Sequence, residues 1–265
     1  MLILAADTSG KSLSVSICED EKPLVETTLN LGYKHSVTFQ PLIDDVIKRS
    51  GRDKIEIDLF ACTDGPGSFT GIRIGVAAIK TMAWALGKPA IGISSLETLA
   101  AAFPGAIVCP VLDARGGRVF SALYKVNDKI EELLKAANRQ AESLWQDIIE
   151  LGLLKEQIYE TCSSPVNELQ SKTAVGFGTE AKFKPVLDPI VVVGDGLPVV
   201  RSALVEEFVE TKVIWTTPEH WTPRASILSR LAYLKFKSGD IGDPFALMPQ
   251  YHSLSQAERL RENKN

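Results

Sequence analysis

Cysteine is scarce in this 265-residue chain, and its spacing excludes a simple cysteine-based site. The four cysteines, Cys18, Cys62, Cys109 and Cys162, lie far apart, and none forms a CxxC pair. Their spacing therefore favours neither a zinc site nor a disulfide framework. Cys18, Cys62 and Cys109 stand in apolar runs, and we predict that they are small core residues in a reducing compartment.

Histidine is also scarce, with His35, His220 and His252 as the only three in the chain. No two of them are four residues apart, so a helical pair of metal ligands is excluded. A position at the surface or at a helix end is more typical of such isolated histidines than metal binding. We therefore predict no metal site on this chain.

Long apolar runs and an excess of positive charge are absent as well. No segment approaches 18 uncharged apolar residues, so we predict no membrane span. The N-terminus lacks the basic start of a signal peptide, which makes it a first strand and the cytoplasm the default location. The net charge of −4 argues against a nucleic-acid binder that acts alone. A hydrophobic content of 45% is enough for well-formed cores.

The rest of the chain is organised around a strand, a glycine-rich turn and a long helix between Ala61 and Pro89. Ser68 can cap this helix, which we expect to end near Leu86. Free amides at a helix N-terminus favour anions, but the turn lacks the lysine of a Walker A loop. A second candidate loop, at residues 7–9, follows the first strand. There, turn formation by the Asp7 side chain is at least as typical as phosphate binding. The candidate phosphate loops comprise Asp7, Thr8, Ser9, Gly65, Gly67 and Ser68.

Two faces of the long helix are apolar. Phe69, Ile72, Val76 and Ile79 have the spacing of a stripe that packs on the domain core. A second stripe, which contains two glycines, is made of small residues. Because each glycine costs a helix interior roughly 1 kcal/mol relative to alanine, we expect something to approach closely there. That neighbour is either another helix of this chain or a partner subunit. The small stripe comprises Gly71, Gly75, Ala78, Met82 and Ala85.

The order of elements predicts an α/β fold with a duplicated plan. Three antiparallel strands are followed by alternating helices and strands, which is typical of a mixed sheet with helices on its faces. Pro104-Gly105 is a candidate boundary, after which a strand, a turn with Asp113 and another strand follow. This echo indicates either a duplicated nucleotide-binding core or two ordinary hairpins. Residues 131–150 are predicted to be helical, residues 155–188 carry no assignable pattern, and Ala225–Lys237 is a strong helix.

Four strings of residues resemble the TsaB (YeaZ) family, the bacterial tRNA threonylcarbamoyladenosine biosynthesis proteins. They are DTS at residues 7–9, GPGSFTGIRIG at 65–75, LDARGGRVF at 112–120 and QYHSLSQAE at 250–258. The resemblance covers most of the chain, and GPGSFTGxRxG is specific to this family. It implies an α/β fold of two actin-like (ribonuclease H-like) halves, each a mixed five-stranded sheet flanked by helices. Residues 1–104 would carry the partner-binding helices. Residues 105–265 would form a shorter, degenerate half, whose last helix we expect to pack back on the first.

The same resemblance implies a non-catalytic scaffold that is required to attach threonylcarbamoyl to the adenosine at tRNA position 37. Its partners would be the catalytic subunit TsaD, the ATPase TsaE and a second copy of this chain, with tRNA bound only through the complex. ATP and metal would belong to the partners, because the HxEGH motif of TsaD falls here on Ser95–Leu99, which contains no histidine. The expected interface residues are His35, Gly71, Ile72, Gly75, Ala78, Ile79 and Met82. The alternative is an ATP-using phosphotransferase or peptidase of the same fold that acts alone. Direct tRNA binding by this chain is disfavoured by its acidic balance.

Overall fold

The structure is a computed structural model that describes residues 1–32, 34–153, 189–203 and 213–251. Several predictions from the sequence fall beyond these residues. They concern Cys162, His252, the unassigned stretch 155–188 and residues 252–258 of the last family string.

The first half forms a five-stranded sheet with the strand order β3-β2-β1-β4-β5. The continuous apolar run after Met1 gives β1, which pairs antiparallel with β2 from Leu2↔Glu19 to Asp7↔Ser14. β4 and β5 extend the sheet in parallel on the other side of β1. The elements are β1 (Leu2–Asp7), β2 (Leu13–Glu19), β3 (Lys22–Leu29), α1 (His35–Ser50), β4 (Leu59–Gly65), α2 (Phe69–Ala85), β5 (Ala90–Ser94) and α3 (Ser95–Ala100), with a 3-10 turn at Lys54–Glu56.

The second half repeats this plan, with the strand order β10-β9-β6-β7-β8. β6 takes the central place of β1, with an antiparallel neighbour on one side and a parallel neighbour on the other. The predicted α/β fold with two mixed five-stranded sheets is therefore confirmed. The elements are β6 (Ala106–Arg115), β7 (Arg118–Val126), β8 (Ile130–Gln140), α4 (Ala141–Glu150), β9 (Ile190–Val193), α5 (Leu197–Ser202), β10 (Val213–Trp215) and α6 (Ala225–Lys237), with a 3-10 turn at Pro218–His220.

One segment that was predicted to be helical is a strand. Residues 131–140 have good helix formers, but they form most of β8, which pairs with β7 from Val126↔Ile130 to Arg118↔Gln140. Tertiary pairing overrides local propensity here, because β8 completes the second sheet. The helical prediction holds from Ala141 to Glu150, where α4 lies.

Each sheet is covered on both faces, so each has two hydrophobic layers. Side chains of α1 and α2 pack on one face of the first sheet, and side chains of α6 pack on the other. On the second sheet, α4 and α5 cover one face and α3 covers the other. Because successive residues of a strand point to opposite faces, Leu4 of β1 joins the α2 side while Ile3 and Ala5 join the α6 side.

Helix α6, the last that the structure describes, therefore lies on the sheet of the first half. Ala225 donates its amide hydrogen to Ser14 Oγ at 3.1 Å, which fixes the start of α6 against β2. The division of the chain into domains at residue 104 stays a prediction. None of the helices within the described ranges is both long and apolar enough to cross a bilayer.

Candidate functional site

The turn between β1 and β2 lies directly on the N-terminal part of α2. Thr8 Oγ1 donates a hydrogen bond of 2.8 Å to the carbonyl of Gly71, and the Ser68 amide donates one of 2.7 Å to the carbonyl of Ser9. A Cβ atom on Gly71 would overlap the Thr8 carbonyl oxygen, and one on Gly75 would overlap Thr8 Oγ1. The two glycines thus allow the turn to touch the helix backbone.

This contact corrects one expectation from the sequence. The room that Gly71 and Gly75 leave is filled by the chain's own β1–β2 turn, not by a second helix. Ile72 and Ile79 are buried in the first core at 1% and 0% exposure, so they offer no area to a partner. The binding of a partner by α2 stays a prediction, and its contact surface must lie on other side chains of the helix.

Ala78 and Met82, the two remaining small-stripe residues of the predicted interface, are half-buried and pack against the first core. His35 is the first residue of α1 and is buried, with its ring Nε2 2.8 Å from the carbonyl oxygen of Gly10. Its ring therefore joins the start of α1 to the β1–β2 turn. Of the predicted set, only Ala78 and Met82 retain exposed surface.

Asp7 ends β1 inside the protein. Its Oδ1 accepts hydrogen bonds from Ser9 Oγ at 2.6 Å and from Thr63 Oγ1 at 2.7 Å. Its Oδ2 is buried without a hydrogen-bond partner in the structure. Burial raises the pKa of this carboxyl above its ordinary value, and the bonds from Ser9 and Thr63 oppose the rise. The side chain stabilises the turn, as the alternative interpretation of this aspartate predicted.

The two candidate phosphate loops face each other, and the Ser68 amide of one donates to the Ser9 carbonyl of the other. The Gly67 position lies so close to Ser9 that a Cβ there would overlap the Ser9 carbonyl oxygen. Ser68 Oγ caps α2 by accepting a hydrogen bond of 3.2 Å from the Gly71 amide. The Ser68 amide itself donates to the carbonyl of Ser9. The carbonyl of Gln250 covers Gly65 from the other side, so that a Cβ atom on Gly65 would overlap its oxygen. These pairings occupy the Ser68 and Gly71 amides, two of the donors that an anion at this helix N-terminus would use.

The equivalent turn of the second half differs in its burial. Asp113 is exposed, and its amide donates to Asp195 Oδ1 at 3.0 Å. Burial raises the pKa of Asp195 above its ordinary value. The backbone plan of the two turns is thus repeated, but the buried carboxylate-and-hydroxyl arrangement of Asp7 is not.

The solvent-facing side of α2 carries several apolar side chains and no acidic residue. Phe69, Arg73, Ala77 and Trp84 are exposed, and the Trp84 side chain reaches 62% exposure. The neighbouring helix α1 exposes Val37 at 68%. Exposed apolar side chains of this size on adjacent helices are typical of interaction surfaces. We call the exposed side chains of Val37, Phe69, Ala77 and Trp84 the helical face.

Residues near the C-terminal end of the described chain contribute to the same region, and sequence reasoning missed them. Tyr251 OH accepts a hydrogen bond of 2.7 Å from Arg73 Nε, and its ring lies 4.9 Å from the ring of Phe69. Lys80 Nζ donates to the carbonyl of Phe245 at 2.9 Å. The string that begins QYH was the available signal, but without periodicity it gave no position in the fold.

The positions that align with the metal motif of TsaD lie inside the protein. Ser95, Leu96 and Leu99 of α3 are buried, and Leu99 packs in the core between α3 and the second sheet. Neither aligned histidine position carries an imidazole. Within the described ranges, no group of three or more His, Cys, Asp or Glu side chains could hold a metal ion.

Comparison with known proteins assigns the family. The family model described as "TsaD: tRNA N6-adenosine threonylcarbamoyltransferase" matches residues 31–235. The tRNA threonylcarbamoyladenosine biosynthesis protein TsaB of Haemophilus influenzae is 30% identical over 187 residues, which is 68% of this chain and 72% of that protein. The chain belongs to the TsaB (YeaZ) family. TsaB of Bacillus subtilis is 29% identical over 261 residues, which is 97% of this chain and 96% of that protein.

A solved TsaB-family structure supports the fold independently. YeaZ from Pseudomonas aeruginosa superposes with a TM-score of 0.67 at 21% identity, covering 94% of this chain and 99% of that chain. The two sheets of equivalent strand order are thus the two halves of an actin-like fold.

Proposed function

We propose that this chain acts in the biosynthesis of threonylcarbamoyladenosine in tRNA, as a non-catalytic subunit that binds and activates the threonylcarbamoyltransferase TsaD. TsaE would supply ATPase activity to the same assembly, and a second copy of this chain would occupy the binding surface when TsaD is absent. tRNA would be bound through the assembly, in the cytoplasm. Membership of the TsaB family supports the pathway.

The main support for a non-catalytic role is the direct contact between the β1–β2 turn and the N-terminal part of α2. Thr8 Oγ1 donates to the carbonyl of Gly71, and the Ser68 amide donates to the carbonyl of Ser9. The Ser9 hydroxyl donates to Asp7, so these three donors are not free to bind a phosphate. The aligned metal motif supports the same conclusion, because it has a serine and a leucine in place of its two histidines.

The helical face supports the partner-binding part. It consists of exposed apolar side chains, the exposed Arg73 of α2 lies beside it, and α2 carries no acidic residue. Aromatic and arginine side chains are enriched where proteins bind each other. We place the TsaD contact on this face rather than on the buried glycines that the sequence first indicated.

Reconstitution tests the proposal. Purified TsaD and TsaE, with threonylcarbamoyl donor, ATP and unmodified tRNA, are assayed for modified adenosine with and without this chain. We expect modification only when the chain is present. Full activity in its absence would refute the scaffold role, and ATP hydrolysis or proteolysis by the chain alone would favour the stand-alone enzyme.

A further inference from the structure

Residues 242–251 run along α2 and β5 and contain one turn, at residues 244–246. At one end, the Ala90 amide donates to the carbonyl of Gly242 at 3.1 Å. In the middle, Lys80 Nζ donates to the carbonyls of Phe245 and Leu247 at 2.9 and 3.3 Å. At the other end lies Tyr251, which contacts α2. The segment therefore touches the helix at two points that are seven residues apart in α2, Arg73 and Lys80.

Two hydrogen bonds between Asp64 and Gln250 hold the far end of this segment. The Gln250 amide donates to the carbonyl of Asp64 at 2.7 Å, and Gln250 Nε2 donates to Asp64 Oδ2 at 3.1 Å. Asp64 stands at the end of β4, where it is 6% exposed. One residue thus supplies both a backbone and a side-chain acceptor to the same glutamine.

The apolar contribution of this segment to the core is small. Leu247 is its only large side chain in the first core, at 6% exposure. Phe245 and Met248 are both 66% exposed, and Tyr251 is 47% exposed. Few buried apolar contacts together with solvent-accessible backbone hydrogen bonds are the marks of a unit that opens at a lower free energy than the whole protein.

We propose that residues 242–251 form a detachable strap that opens and closes as one unit over α2 and β5, with the Asp64–Gln250 pair as its latch. Leu247 is the buried anchor of the strap. In the closed state the strap adds Phe245, Met248 and Tyr251 to the edge of the helical face. In the open state Asp64 and the groove that holds Leu247 are uncovered. This inference goes beyond the proposed function, and its test needs no partner protein.

The electrostatics of Asp64 couple this opening to pH. Burial raises the pKa of Asp64 to about 6 from the ordinary 3.8, although the positive charge of Lys235 on α6 opposes the rise. Glu97 on α3 adds to it, and the neighbouring Cys62 of β4 is a neutral thiol. Opening returns Asp64 to water and lowers its pKa toward the ordinary value.

The sign of the pH effect follows from proton binding. The closed state holds the proton of Asp64 more tightly than the open state, so closure is favoured at low pH and weakens as pH rises through about 6. A pKa difference of about two raises the opening constant by about fiftyfold between pH 4 and pH 7. Above pH 7 the constant is level, because Asp64 is ionised in both states.

Hydrogen exchange of the intact chain, resolved by residue and corrected for intrinsic rates, tests the strap. The reporters are the amides of Ala90 and Gln250, because opening breaks the hydrogen bonds that they donate. The amides of β1 serve as markers of global unfolding. We expect the two reporters to exchange at least tenfold faster than the β1 markers. Exchange of both sets at one common rate would overturn the proposal.

Matched variants separate opening from general loss of stability. Leu247→Ala removes the anchor and should speed the two reporters at least tenfold while the β1 amides stay unchanged. Met248→Ala, in the adjacent and exposed position, should change neither. Equal acceleration of reporters and β1 amides in Leu247→Ala would show that Leu247 belongs to the cooperative core and would overturn the strap.

The latch has its own test. Asp64→Asn keeps an oxygen acceptor for Gln250 Nε2 but does not titrate, so its opening constant should stay flat between pH 4 and pH 7. The natural chain should show the rise described above. An identical pH profile in both proteins would show that titration of Asp64 does not control the opening of the strap.

Discussion

Glu26 on β3 accepts two hydrogen bonds of 2.9 Å from Ser226, one from the backbone amide and one from the hydroxyl, although 200 residues separate the two in the chain. Arg224 pairs with the other carboxylate oxygen of Glu26. The N-terminus of α6 has no cap from its own N-cap side chain. A residue of the first sheet therefore supplies the cap and fixes the helix on β2 and β3.

Replacing Glu26 with alanine should loosen α6. The change removes a charged acceptor whose side chain is 11% exposed and leaves the Ser226 amide unpaired. We expect a loss of about 1–3 kcal/mol in the free energy of unfolding. The ion pair adds little, since Arg224 is 60% exposed. Urea denaturation measures the loss, with the exposed Glu21→Ala as the control, and equal midpoints for the two variants would contradict the capping role.

Gly75 and Thr8 should be coupled in a double-mutant cycle. In Gly75→Ala the new methyl overlaps Thr8 Oγ1, so we expect destabilisation by about 1–3 kcal/mol despite the better helix propensity of alanine. Thr8→Ala removes the obstructing oxygen. The double variant should therefore lose less stability than the sum of the single variants, as measured by thermal or urea unfolding.

Gly71→Ala supplies the contrast for that cycle. Its methyl overlaps the Thr8 carbonyl oxygen, which belongs to the backbone and stays in Thr8→Ala. We expect no recovery of stability in this pair. If Thr8→Ala rescued both glycine variants equally, the contact between the turn and α2 would not be the one described.

Charge on the helical face should weaken the binding of TsaD. Trp84→Glu and Val37→Glu place a carboxylate at exposed apolar positions, so we expect at least a tenfold loss of affinity and little loss of stability. Titration calorimetry with purified TsaD measures the affinity. Ile214→Glu, on β10 of the second sheet, is the control because its side chain is also exposed at 48%. If both helical-face variants bound TsaD with normal affinity, the TsaD contact would not lie on the helical face.

The three described cysteines should be unreactive in the native protein. Burial raises the pKa of the Cys18 thiol, raises that of Cys62 well above its ordinary value, and raises that of Cys109 to about 12. Because the thiolate is the reactive form, iodoacetamide at pH 8 should label none of them until the protein is unfolded. Mass spectrometry of digested peptides follows the labelling. Rapid labelling of Cys62 or Cys109 would mean that the first or second core opens readily.

The parts of the fold that follow local patterns were predictable from the sequence. The alternating polar and apolar residues of β2 and the two-sided apolar character of α2 are local patterns, so this strand and this helix could be foreseen as elements of the first half. Strand β8 could not be foreseen, because its residues favour a helix and only pairing with β7 stabilises them as a strand. The sequence located the glycines at 71 and 75 as points of close approach, but it could not identify Thr8 as the neighbour.

The candidate site shows the same division. Asp7, Ser9 and Ser68 were found by turn and capping chemistry, which acts over a few residues. The pairs Arg73–Tyr251 and Asp64–Gln250 join residues 178 and 186 positions apart, respectively, and no local pattern encodes such a distance. A resemblance to the family marked the segment that includes Tyr251, but only the fold shows what it touches.

The placement of α3 and α6 has a consequence for synthesis of the chain. α3 is made with the first sheet but covers the second, and α6 is made after both sheets but covers the first. As the chain leaves the ribosome, the face of β1 that carries Ile3 and Ala5 has no permanent cover until residues 225–237 emerge. The second sheet forms when α3 is already present, whereas the α6 side of the N-terminal sheet can close only after the second half has been synthesised.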